Sequence, residues 1–291
     1  MKTDSGIALS LGSAFLGYDT HAGFLSGINQ SGIFPEKISG ASAGAIAAGL
    51  YAAGIQDTAL QNFLLAPRFK RAFLDPGFLY RWFPMLVLGQ PIGLLSGKNM
   101  ISYLEKELPV QNIEDCPHSK LSISVSNLRD QKHPALASGP LARSIMASCS
   151  VPLLFADQQI NGHRYFDGGI LQRAPIEHFL DDPEIHTIIV HRVNYPGQKK
   201  RRSFFIHDVF TASHNTLTAS ILSFQRREAK IRGKKLIFLD TIHSHPGFFP
   251  KGKQREEFYQ AGLATGLATG LRCPDALENQ AEAVLTDVSA Q

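Results

Sequence analysis

The sequence contains no uninterrupted apolar run of about 18 residues, the length a membrane-crossing helix needs, so no such helix is expected. Its nearest approach, "WFPMLVLGQPIGLL" at 82–95, is broken by Pro84, Gly89, Pro91 and Gly93 and reads as an apolar loop or flap. Cysteine is scarce. Cys116, Cys149 and Cys273 form no C-x-x-C pair and cannot all pair with one another, which fits a reducing, cytoplasmic setting. Charge is also sparse, at 19% of residues with a net charge of +4, too mild for a dedicated nucleic-acid binder. No H-E-x-x-H motif or Cys/His grouping is present to hold a metal, and no metal or other cofactor is expected. Internal repeats and low-complexity linkers are lacking, and hydrophobic residues reach 44%, so the chain can build a large core and nothing suggests disorder.

The first residues imitate a signal peptide, with Lys2 ahead of an apolar run from Ile7 to Gly17. Asp4 stands where positive charge belongs, and the run carries a loop that the chemistry below needs, so the mature chain is expected to start at Met1. The basic excess gathers at Lys199-Lys200-Arg201-Arg202 and from Arg226 to Lys235. These clusters suit either a solvated helix end or loop, or an anionic membrane surface.

Periodicity organises the rest. "GIALSL" reads as a buried strand, followed by a helix with Tyr18, Ala22, Leu25 and Ile28 on one face, ending near Gly32. A short strand around Ile38 leads into a helix from Ala43 to Ala53, closed by Gly54. "SGKNMISYLEKEL" spaces its apolar residues as a helix, and "KLSISVSNL" alternates as a half-buried strand. Pro140 is placed to open a helix reaching about Cys149, and Asn161-Gly162 is a hairpin signal. "HTIIVHRV" and "KLIFLD" read as strands, roughly 206–232 as a long helix and roughly 253–271 as a terminal one. Such alternation predicts an α/β sandwich with a mostly parallel sheet, in one domain over 1–291.

Three stretches carry candidate chemistry. Gly40-Ala41-Ser42-Ala43-Gly44 matches G-x-S-x-G, in which a serine on a tight strand-to-helix turn demands neighbours nearly without side chains. Small residues that merely let a helix approach a sheet would look the same, but the strand before and the helix after are what a nucleophile elbow requires. "LSLGSAFLG" at 9–17 lies between a strand and a helix and can aim backbone N–H groups at an oxyanion, or hold a phosphate in the dinucleotide manner. No acidic residue is framed to hold a ribose. In "YFDGG" at 165–169, Asp167 follows a strand and precedes two glycines, which suits a plain turn or a catalytic carboxylate. An α/β-hydrolase triad would need a later histidine, from His178, His186, His191, His207, His214, His243 or His245, none with a distinguishing frame. The elbow also follows only the second strand, early for that fold.

In this order the three stretches resemble the patatin-like phospholipases, lipid acyl hydrolases with a glycine-rich oxyanion loop, then G-x-S-x-G, then D-G-G or D-G-A. The resemblance covers roughly 6–180 and includes "PLARSIMASCSVPLLFADQQINGHRYFDGGILQRAPI", similar to the family's lead-in to its aspartate. Residues 190–291 add no recognisable motif. The resemblance implies a patatin-like three-layer sandwich with a mostly parallel central sheet flanked by helices. It implies Ser42 as nucleophile between Gly40 and Gly44, Asp167 as its direct partner in a dyad without histidine, and Gly12, Ser13 and Ala14 as oxyanion donors. The loop departs from the family's G-G-G-x-[KR]-G, with Ala14 and Leu16 at two positions and one extra residue before His21. The implied activity is that of a phospholipase A or lysophospholipase-like esterase meeting its lipid substrate at a membrane or micelle surface, without nucleic acid. The alternatives are an acyltransferase using the same dyad, a catalytically weak lipid-binding or interaction protein, and an α/β-hydrolase-type esterase with a Ser-Asp-His triad.

Overall fold

Alternation in the first strand sets the layers. In β1 (Ile7–Leu11), Leu9 and Leu11 enter one hydrophobic cluster while Ala8 enters another on the opposite face. These features come from a computed structural model, which describes residues 6–77, 80, 93–195, 219–247 and 250–270.

β1 pairs in parallel with β2 (Lys37–Ala41) on one side and β7 (Thr187–Asn194) on the other. β3 (Lys120–Ser126) continues in parallel beyond β2, and β8 (Lys235–Ile242) beyond β7. The edge beside β3 turns antiparallel: β6 (His163–Asp167) pairs with β3, and β5 (Gln158–Ile160) with β6. The short β4 (Ala135–Leu136) also pairs with β3, giving a sheet of eight strands among the described residues. The β5–β6 hairpin closes through Asn161 and Gly162, both at positive φ, as an Asn-Gly turn requires.

Helices cover both faces, so the architecture is the expected three-layer α/β sandwich with a mostly parallel central sheet. The larger core holds α1 (Tyr18–Gln30), α2 (Ala43–Ala52), α3 (Asp57–Leu65), α4 (Pro67–Ala72), α5 (Lys98–Glu107), α6 (Leu141–Ser148) and part of α9 (Gly252–Gly270). The smaller one packs α7 (Glu177–Leu180) and helix α8, residues 219–231, against Ala8, Ile188 and Val190. Pro140 stands one position ahead of α6 as its cap. The short α3 and α4 have no counterpart in the sequence reading.

One expectation is corrected. β3 is buried along both faces from Leu121 onward, not half-buried, because Ser122, Ser124 and Ser126 face protein instead of water. Ser122 Oγ lies 2.6 Å from His178 Nε2, and the backbone of Ser124 supports the site described below. The apolar stretch 82–95 lies mostly outside the described residues, as do Lys199–Arg202 and the first half of the long helix expected over 206–232.

The terminal helix is bolted to α1 by a buried ion pair. Arg255, 1% exposed, donates through Nε and an Nη to the two Asp19 carboxylate oxygens at 2.7 Å each, and to the Leu64 carbonyl at 2.7 Å. Arg255→Met strands a buried carboxylate and is expected to cost about 3–5 kcal/mol, more than the double variant with Asp19→Leu. Urea denaturation of the parent, the two single variants and the double variant measures this. A double variant weaker than both singles would mean that the two residues act independently.

Candidate active site

The sheet register brings the candidate residues together. β2 ends at Ala41, which pairs with Ser124 of β3, and the adjacent Val125 pairs with Asp167 at the end of β6. Ser42, one residue past Ala41, thereby comes beside the Asp167 side chain, and both line one cavity.

Ser42 is the hinge between β2 and α2 and sits at φ 54° and ψ −119°, a conformation L-residues with a Cβ rarely adopt. The flanking glycines answer to space. A Cβ on Gly40 would lie 2.4 Å from the Gly44 carbonyl oxygen, and one on Gly44 would lie 2.2 Å from that of Leu11. Gly44 therefore lets the elbow press against the start of the 12–17 loop. From the other side, a Cβ on Gly169 would stand 2.0 Å from Ser13 Oγ. Gly40 thus makes room within the elbow itself, and Gly44 and Gly169 make room for the 9–17 stretch.

Side chains that carried no sequence motif fix the elbow. Ser42 N–H donates to Ser148 Oγ at 2.9 Å, and the Ser148 hydroxyl donates to the Ser124 carbonyl at 2.6 Å, tying α6, the elbow and β3 into one unit. The Cys149 thiol donates to the Ser42 carbonyl at 3.3 Å, and burial pushes that thiol well up, so it stays protonated. Asp167 caps the short turn at Gly168–Ile170, its Oδ1 accepting the Gly169 N–H at 2.7 Å. Burial raises the Asp167 carboxyl to about 6, against the lowering effect of its bonds from Ser42 and Gly169.

The three expected oxyanion donors are placed differently from one another. Gly12 N–H donates to the His191 carbonyl at 2.9 Å and Ser13 N–H to the Arg173 carbonyl at 2.8 Å, so both are already engaged. Ala14 lines the cavity beside Ser42, and its N–H donates to no other described residue. The Ala43 N–H, first of α2, is in the same position at the positive end of the helix.

Ser42 and Asp167 open into a cavity of about 680 Å³ with mainly apolar walls, including Tyr18, Ile46, Phe73, Leu95, Leu154, Phe155 and Ile170. Phe15, Leu74 and Val151 also line it and are 37%, 56% and 42% exposed, which places them at the mouth with Lys70 and Arg71. No histidine lines this cavity among the described residues. His178 is turned to Ser122, His243 to Thr20, His191 to His21 and Thr241, and His245 stacks on Phe15 at 5.5 Å. His207 and His214 lie outside the described residues. The arrangement offers a serine hydroxyl, an adjacent carboxylate, spare backbone donors and an apolar chamber.

A family model described as patatin-like phospholipase matches residues 11–180. Uncharacterized NTE family proteins of Mycobacterium tuberculosis (strain H37Rv) and Mycobacterium bovis are 26% identical over 171 residues, covering 58% of this chain and 44% of theirs. The chain thus spans less than half the length of these curated relatives. The crystal structure of VipD from Legionella pneumophila superposes with a TM-score of 0.51 at 15% identity, over 91% of this chain and 66% of that one. That likeness concerns the fold.

Proposed function

Because the chain belongs to the patatin-like phospholipase family, we propose that it is a lipid acyl hydrolase that cleaves carboxylic esters through a Ser42–Asp167 dyad. The observation that carries this reading is a serine on a strained elbow beside a buried carboxylate at the wall of a largely apolar chamber. Ser42 Oγ attacks the acyl carbonyl carbon as Asp167 takes the hydroxyl proton. The oxyanion rests on the Ala14 and Ala43 N–H groups, while the Gly12 and Ser13 amides keep their structural bonds. Collapse breaks the ester bond, the leaving alcohol takes the proton from Asp167, and water repeats the sequence on the acyl-enzyme to release the fatty acid. No step needs a histidine.

Purified protein offered phospholipids, lysophospholipids, acylglycerols and short esters tests this reading. Release of fatty acid with covalent labelling by a fluorophosphonate supports it. Neither product nor label would point to a lipid-binding protein that has kept the fold, and transfer of the acyl group to an added alcohol in preference to water would point to an acyltransferase.

The mouth residues suit an interface. Phe15, Leu74 and Val151 expose apolar area beside Lys70 and Arg71, so a lipid surface can receive the rim while the acyl chain enters the cavity. Burying one such side chain is worth about 1.5–3 kcal/mol, so Leu74→Asp is expected to weaken liposome binding about tenfold or more. Flotation with anionic liposomes should also weaken as salt rises. Equal recruitment of parent and Leu74→Asp would move the membrane contact elsewhere.

A further inference from the structure

Two buried histidines lie behind the loop that carries Gly12, and neither lines the cavity. His21 Nε2, on α1, is 2.9 Å from the Gly12 carbonyl oxygen, and its Nδ1 is 2.8 Å from Nδ1 of His191 on β7. His191 Nε2 is 2.9 Å from Thr241 Oγ1 on β8, which is 2.7 Å from Thr265 Oγ1 on α9. Phe24 stacks on the His191 ring at 3.9 Å and fixes its plane.

Counting protons gives this chain a direction. A carbonyl oxygen only accepts, so His21 Nε2 must carry hydrogen. Burial holds His21 down at about 4 and His191 well below its ordinary range, so each ring carries a single proton at neutral pH. His21 Nδ1 is then a bare lone pair that receives the His191 Nδ1–H. His191 Nε2 is then the bare nitrogen turned to the Thr241 hydroxyl, while Thr265 gives its own hydrogen to the Ala261 carbonyl at 3.1 Å. The two rings are thus joined without burying a charge, and the pair ends as an N–H aimed at Gly12. The same Gly12–Ser13 peptide is held at its other edge by the Ser13 N–H on the Arg173 carbonyl. The next peptide along carries the Ala14 N–H.

We propose that His21 is a positioning residue for ester hydrolysis, oriented by His191, and that the pair clamps the Gly12–Ser13 peptide so that the Ala14 N–H stays aimed at the oxyanion. The role rests on the reading of Ser42 as nucleophile; neither histidine takes the serine proton. His191 and Thr241 lie beyond the 11–180 family match, so the C-terminal strands serve the site through these residues.

The test compares His21→Gln with His21→Asn in the full chain. The glutamine amide reaches the place of Nε2 and still donates to Gly12, whereas the asparagine amide ends at the place of Nδ1 and meets only His191. The expected kcat is within about fivefold of the parent for His21→Gln and about 10²-fold lower for His21→Asn, with KM nearly unchanged in both, since a displaced oxyanion donor acts on the transition state. Affinity for a trifluoromethyl ketone, whose tetrahedral adduct needs the oxyanion site, should fall with kcat, while affinity for the unfluorinated ketone holds. Adding His191→Phe to His21→Asn should lower kcat little further, because both act on one chain. Equal kcat in the Gln and Asn variants, or a loss seen in Tm and KM but not kcat, overturns the positioning role and leaves Ser42 as nucleophile. Full activity in Ser42→Ala would overturn the nucleophile reading and the positioning role with it.

Discussion

Ser42→Ala is expected to lower ester hydrolysis on the order of 10⁴- to 10⁶-fold and to abolish labelling by a fluorophosphonate, with the fold intact. The contacts that hold the elbow explain why the fold survives: the bond to Ser148 uses the Ser42 N–H and the bond from Cys149 uses its carbonyl, so alanine keeps both. Alanine also keeps the strain, since its Cβ is held at the same φ of 54°. Ser42→Gly relieves it and is expected to be more stable than Ser42→Ala by roughly 1 kcal/mol, measurable as a higher Tm. Both variants lack the hydroxyl, so their difference isolates the backbone. A serine kept where glycine would be more stable is placed there for its hydroxyl. Labelling that persists in Ser42→Ala would put the nucleophile at another residue.

The local half of this site was legible and the long-range half was not. G-x-S-x-G could be read because its constraint is steric and lies within five residues: Gly40 meets Gly44 across the turn it helps to form. Asn161-Gly162 was legible for the same reason, its two positive φ values belonging to one tight turn. What joins Ser42 to Asp167 is the pairing of β3 with β2 and β6, contacts between segments far apart in the chain that no local pattern encodes. Ser148 is not legible in the sequence, because a serine in a short helix carries no signal until that helix is packed against the elbow. The alternation of β3 gave the right element and the wrong exposure, since serines read as solvent-facing also suit a face covered by protein.

The oxyanion loop shows the same division. A glycine-bearing loop between a strand and a helix identified the region, but which amides stay free depends on where the carbonyls of His191 and Arg173 come to rest. Those carbonyls belong to β7 and to the segment after the D-G-G turn. The part of the chain past about residue 190, which carries no motif, supplies β8, α9 and the polar chain behind the loop. Motifs mark what touches substrate, whereas support is spread over residue types too common to mark anything.

Asp167→Asn is expected to lower kcat by about 10³-fold or more while leaving substrate binding nearly intact, because the amide keeps the shape of the carboxylate and cannot accept the serine proton. Its Oδ1 can still receive the Gly169 N–H, so the turn survives. The parent should lose kcat/KM tenfold per pH unit below about 6, where burial holds the carboxyl protonated and therefore useless as a base. Stability runs the other way. A folded value of about 6 against an ordinary 3.8 means that the folded state binds the proton more tightly, so stability is greatest below about pH 4 and declines through pH 6. Above that window the buried carboxylate costs on the order of 3 kcal/mol, a cost asparagine does not carry. Asp167→Asn should therefore melt at or above the parent's temperature near pH 8 while nearly inactive, which separates lost chemistry from lost structure. Glutamine in place of His178, His186, His191, His207, His214, His243 or His245, one at a time, should cost far less than either dyad variant. His191 is expected to show the largest of these effects, through the loop. One well-folded histidine variant as inactive as Ser42→Ala would make the site a triad, since a carboxylate can serve as the serine's own base only where no imidazole stands between them.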